Sequence, residues 1–110
     1  MSVTFVSRHG DRVVLAVTGE LQTQESVALL HQLEEFLRDG YRHVVLDVSA
    51  VSACNSAGIA ALTIGNKDAR ARGGWLRIAG LRARAWRVGQ LVLLGDVFTF
   101  YDNVTEATAA

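Results

Sequence analysis

The hydrophobic pattern changes period several times along the chain, and each change marks an element. Val3 to Val6 reads as a short strand and His9-Gly10-Asp11 as a turn. Arg12 to Thr18 is a second strand, rich in β-branched residues, so the first two strands should form a hairpin. A helix then starts at Thr23 or Gln24 and runs to about Asp39. Its residues Val27, Leu30, Leu33 and Leu37, with Leu29 and Phe36, recur at spacings of three and four and predict one buried face. Gly40 ends it. Val44 to Val48 is a nearly continuous apolar run, typical of a central strand buried on both faces. Ser49 to Asn55 is small and polar and reads as a loop. A second helix is expected from Ser56 to about Arg72, broken by Gly73-Gly74. Trp75 to Ala79 is a fourth strand and Leu81 to Leu94 a third helix, with Trp86, Leu91 and Leu94 facing inward. Val97 to Tyr101 is a last strand, and Val104 to Ala109 a final helical turn.

Strand–helix–strand succession implies parallel pairing with helices packed on the sheet. The predicted fold class is therefore α/β: a mixed β-sheet with an N-terminal hairpin and helices mainly on one side. A length of 110 residues suits one compact domain spanning 1–110. Half of the residues are hydrophobic and a fifth are charged, enough for a real core and unlike a disordered tail.

Charge and cysteine content narrow the function. Eleven basic and eleven acidic residues cancel, which argues against a dedicated nucleic-acid binder. The balance hides an asymmetry. Between Lys67 and Arg87 stand Lys67, Arg70, Arg72, Arg77, Arg82, Arg84 and Arg87 against Asp68 alone, a +6 segment offset by a −6 remainder. That segment reads as the solvated sides of two helices rather than a nucleic-acid face, because Trp75 and Trp86 sit at apolar-periodic positions and not between the charges as stacking platforms. One cysteine, Cys54, forms no internal disulfide, and the histidines His9, His31 and His43 lack metal-ligand spacing. No metal and no cofactor are expected. No secretory leader and no apolar stretch near the ~20 residues of a membrane span are seen, so the expectation is a cytoplasmic protein with no membrane partner.

The most informative stretch is Leu46 to Ile59. A buried strand leads through small polar residues to a helix that starts near Ser56. Partners and ligands meet parallel sheets beyond the carboxyl ends of the strands. The N-terminus of a helix favours a negative group there. Two readings of Ser56 follow. Asn55 or Ser56 serves only as an N-cap, or Ser56 accepts a phosphate that a docked partner would then meet as a desolvated charge. Cys54-Asn55-Ser56-Ala57-Gly58 also brushes against the Gly-x-Ser-x-Gly nucleophile elbow, but Cys replaces the first glycine and no histidine follows Ser56. Phosphate-loop patterns are lacking.

At these residues the chain resembles a known family. Asp47-Val48-Ser49, Asn55-Ser56-Ala57-Gly58-Ile59 and Gly19-Glu20-Leu21 are similar to the STAS domain of bacterial anti-sigma factor antagonists. So are Gly73 to Leu81 and Leu94 to Phe98, which extends the likeness to nearly the whole chain. The resemblance implies a binding protein and not an enzyme. In the family, the antagonist binds an anti-sigma factor that is also a serine kinase, and a sigma factor is released. The kinase inactivates the antagonist by phosphorylating a serine in an Asp-Ser-Ser/Ala-Gly motif, and a metal-dependent serine phosphatase restores it. Carried over, the phosphoacceptor is Ser56, and the partner-binding residues are Glu20, Gln22, Ser52, Asn55, Ser56, Ala57, Gly58 and Ile59. A homodimer is compatible with the family. Two positions depart from its pattern: Asn55 stands where Asp is usual before the serine, and Gln22 where Asp often follows Gly-Glu-Leu. The alternative implied is a STAS scaffold or sensor subunit of a larger regulatory or lipid-transport assembly, with Ser56 unmodified.

Overall fold

A computed structural model describes residues 1–82, 86, 98 and 100–109. Strands β1 (Ser2–His9) and β2 (Arg12–Leu21) form the hairpin. Helix α1 (Thr23–Arg38), strand β3 (His43–Cys54), helix α2 (Ser56–Ala71) and strand β4 (Trp75–Ala79) follow. A short strand β5 (Phe100–Tyr101) and helix α3 (Val104–Ala109) close the chain. The sheet order is β1-β2-β3-β4-β5, antiparallel at the hairpin and parallel elsewhere. The mixed α/β architecture is thus the one the periodicity predicts. Of the helix expected over Leu81–Leu94, the described residues Leu81, Arg82 and Trp86 are not helical; its other residues and the start of the strand expected from Val97 lie outside the described residues. Trp86 and Phe98 are described and belong to the main core.

Both faces of the sheet are covered, which explains the unbroken apolar runs in β2 and β3. Val13, Leu15, Val17, Leu46, Val48 and Ile78 pack against Leu29, Leu33 and Leu37 of α1 and against Ile59 and Leu62 of α2. On the opposite face Val14, Val45 and Ala79 meet Ala107 of α3, flanked by Trp75 and Tyr101. Helices α1 and α2 cross where Gly65 leaves space: a Cβ there would sit 3.0 Å from Leu33 Cδ1.

The structure corrects two expectations. Ser49 to Cys54 is not a loop but the second half of β3, and Gly19 to Leu21 likewise belongs to β2. Ala16 pairs with Asp47 and Thr18 with Ala50, while Gly19 pairs with Val51 and Glu20 with Ala53. At each step β3 carries one extra residue, so two bulges break the alternation that would have marked a strand. Asp47 Oδ1 accepts the Ser49 N–H at 3.0 Å and holds the first bulge. The buried stripe of α1 is also rotated from the expected one. Ser26, Leu29, Leu33 and Leu37 are buried, whereas Val27 is 55% exposed.

Candidate functional site

The last register pair of β2 and β3 is Leu21 with Cys54, and each strand leads almost directly into a helix. The N-termini of α1 and α2 therefore lie side by side at one end of the sheet. The Asn55 N–H donates to Leu21 O at 3.1 Å. Asn55 is the N-cap of α2, in extended backbone geometry with φ −104° and ψ −176°. Its Oδ1 accepts from the Ala57 and Gly58 N–H groups at 3.0 and 3.2 Å. Its Nδ2 donates across the gap to Thr23 Oγ1 at 3.4 Å.

This settles which residue caps. Asn55 satisfies the first-turn donors, and Ser56 is the first helical residue, exposed, with no side-chain hydrogen bond to any described residue. Beneath it the turn is pressed onto the strands. A Cβ on Gly58 would fall 2.4 Å from Cys54 Sγ and 3.1 Å from Leu21 O. Cys54 itself is buried, and desolvation pushes its thiol up to about 11 against a weaker lowering by a hydrogen bond from the Ile59 backbone. At neutral pH it is a neutral packing group whose Sγ–H donates to Asn55 O at 3.4 Å, not a nucleophile.

The other residues predicted for the site gather at the same end. Glu20 is exposed at the end of β2, and Ser52 is the exposed extra residue of the second bulge. Gln22 is the N-cap position of α1 without a side-chain cap bond, and its carbonyl accepts the Ser26 N–H at 2.9 Å. Ala57 is half-buried, whereas Gly58 and Ile59 are buried and support the turn from inside.

Sequence reasoning missed a neighbour of the site. A shallow groove of about 200 Å³ runs between α1 and α2 from the Ser56 end, lined by Thr23, Ser26, Val27, Leu30, Ala57, Ala60, Ala61 and Ile64. Ile64 is 49% exposed. The signal was present: the apolar positions of α1 are too many for one buried stripe, and those left over form a second row.

The basic segment splits into separate local roles. The Arg77 guanidinium stacks 3.6 Å from the Trp75 ring centroid and donates to Ala107 O at 3.0 Å. Arg72 pairs with Asp68 at 3.1 Å. Lys67, Arg70 and Arg82 are exposed, and Arg84 and Arg87 lie outside the described residues. Among the described residues no group of side chains could hold a metal ion, and no helix is long and apolar enough to cross a membrane.

Comparison with known proteins identifies the class to which this fold belongs. The family model described as Mlab, STAS domain matches residues 4–97, so the chain belongs to the STAS domain family. Similar solved structures have the same fold. An anti-sigma factor antagonist from Mycobacterium paratuberculosis is 24% identical with a TM-score of 0.81, covering 98% of this chain and 92% of that one. The Thermotoga maritima protein TM1081 is 23% identical with a TM-score of 0.85, covering 97% and 92%. The unphosphorylated form of the anti-sigma factor antagonist SpoIIAA, whose phosphorylated form is described as a Bacillus cell fate determinant, is 13% identical with a TM-score of 0.73, covering 98% and 94%.

Proposed function

We propose that this chain is an anti-sigma factor antagonist acting as a single STAS domain in the bacterial cytoplasm. It binds an anti-sigma factor that is also a serine kinase and thereby releases a sigma factor. Phosphorylation of Ser56 by that kinase ends the interaction, and a metal-dependent phosphatase resets it. The protein is a binding switch and not an enzyme. One observation carries the reading: Ser56 is exposed at the first position of α2 while Asn55 does the capping, so its hydroxyl is uncommitted. A phosphate at this position lies by the positive end of the helix dipole, so the fold tolerates it. A partner docked over Glu20, Gln22, Ser52 and Ser56 would instead have to bury a new charge. The fold shared with SpoIIAA, a protein known in phosphorylated and unphosphorylated forms, supports the reading.

The test is to incubate the purified protein with ATP and, one at a time, the serine-kinase anti-sigma factors of the same genome. One of them should transfer phosphate to the wild type and none to Ser56→Ala. Phosphate that persists in Ser56→Ala, or none on the wild type from any kinase, sinks the switch. The absence of charge at Asn55 and Gln22 favours a second reading: a scaffold or sensor subunit of a larger regulatory or lipid-transport assembly, with Ser56 unmodified. In that case the protein purifies from its source with transport or scaffold subunits and carries no phosphate.

A further inference from the structure

We infer that Asn55 is a specificity-determining residue for the partner, through the direction of its amide. This rests on the proposed docking of a kinase at Ser56. The amide is not free to flip. Its oxygen is held by two backbone N–H groups, those of Ala57 and Gly58, at 3.0 and 3.2 Å, and only an oxygen can accept them. The nitrogen is therefore turned outward. It carries two hydrogens. One points to Thr23 Oγ1 at 3.4 Å, and no described residue takes the other. Asn55 is half-exposed and immediately precedes Ser56. The group that a partner meets beside the serine is thus a neutral hydrogen-bond donor. Thr23, on the other helix, fixes its plane.

The partner that fits places an oxygen acceptor, a carbonyl or a carboxylate, against residue 55. A partner with Arg or Lys there meets donor against donor and is rejected, because a buried donor without an acceptor loses its water without compensation. Asp at position 55 would keep the oxygen that caps α2 and could still accept from the Thr23 hydroxyl. It would reverse only the outward polarity. Ser would keep a cap and present nothing outward.

The experiment uses the kinase that phosphorylates the wild type, with Asn55→Asp and Asn55→Ser as variants. Both should fold, with melting temperatures within about 3 °C of wild type, as expected when one good N-cap replaces another. Affinity should fall several-fold for Asn55→Ser and more than roughly tenfold for Asn55→Asp, since the second adds repulsion to the lost bond. The loss in phosphorylation should appear in KM and leave kcat nearly unchanged, because Asn55 contacts the partner and not the transferred group. Equal affinities for all three proteins, or tighter binding by Asn55→Asp, overturn the inference while leaving the switch at Ser56 intact. If no serine-kinase anti-sigma factor binds or modifies the wild type, the reading of the site fails and the inference fails with it.

Discussion

Gly58 shows how a single hydrogen atom positions the site. A methyl group there would meet Cys54 Sγ at 2.4 Å and Leu21 O at 3.1 Å, so the first turn of α2 would have to lift from the sheet. Gly58→Ala should cost about 2 kcal/mol or more, the range of overpacked positions. Adding Cys54→Ala should recover part of the loss, because the nearest obstacle is gone while the Leu21 carbonyl remains; urea unfolding of the single and double variants measures the coupling. An unchanged midpoint in Gly58→Ala would mean that the turn is not pressed onto the strands. Cys54 also gives a pH signature. Its folded thiol titrates near 11 against an ordinary value of 9.0, so the folded state holds its proton longer than the unfolded one. The contribution is fully present below pH 9 and is lost as pH rises toward 11. Thiol alkylation should accordingly be slow at pH 8 and accelerate through that window, and rapid labelling at pH 8 would contradict the burial. At this scale the sequence was ambiguous in one decisive place. Asn55 and Ser56 are both good N-caps, and the choice between them depends on which keeps extended dihedrals, hence on where β3 ends.

The end of β3 is legible only at the scale of elements. The runs Val13 to Leu15 and Val44 to Leu46 announced buried strands because both faces are covered. Beyond Val48 two bulges shift the inward side, and the period-two signal disappears although the pairing with β2 continues to Cys54. The first helix was found from spacing alone, but its facing side was not, since Val27 and Leu30 add a second apolar row beside Leu29 and Leu33. The clamp on α3 had no local signal at all, because Arg77 and Ala107 stand thirty positions apart. Arg77 joins the two by stacking on Trp75 and donating to the last turn of α3. Arg77→Met keeps most of the stem's packing and removes the charge and the donor. It should cost about 1–2 kcal/mol. The Ala107 amide should then exchange with solvent much faster than the amides of β2 and β3. Unchanged protection at Ala107 would show that the Arg12 bond to Thr108 O and the apolar contacts hold α3 without Arg77.

For the whole molecule the relevant quantity is the change that one phosphate makes. The chain has no net charge at neutral pH, and a phosphoserine adds roughly −1.5 to −2. That charge would stand at an end where Glu20 is already exposed and Glu25 occupies the first turn of α1. Two effects then compete. Repulsion from these carboxylates is screened within about 8–10 Å at physiological salt. Attraction to the N-terminal dipole of α2 acts at contact and contributes about 0.3–1 kcal/mol. The fold should hardly respond: the melting temperature of the Ser56 phosphoprotein should stay within about 3 °C of the unmodified one. The complex should respond strongly, because docking would remove the phosphate from water. On the proposed function, binding to the kinase should weaken by more than roughly a hundredfold, about 2.7 kcal/mol, and Ser56→Glu should reproduce part of that loss. Calorimetric titration of the three forms, with melts run alongside, separates the two effects. Loss of binding that tracks a fall in melting temperature would mean that the phosphate unfolds the first turn. Loss of binding at constant melting temperature would mean that the switch lies in the docked surface itself.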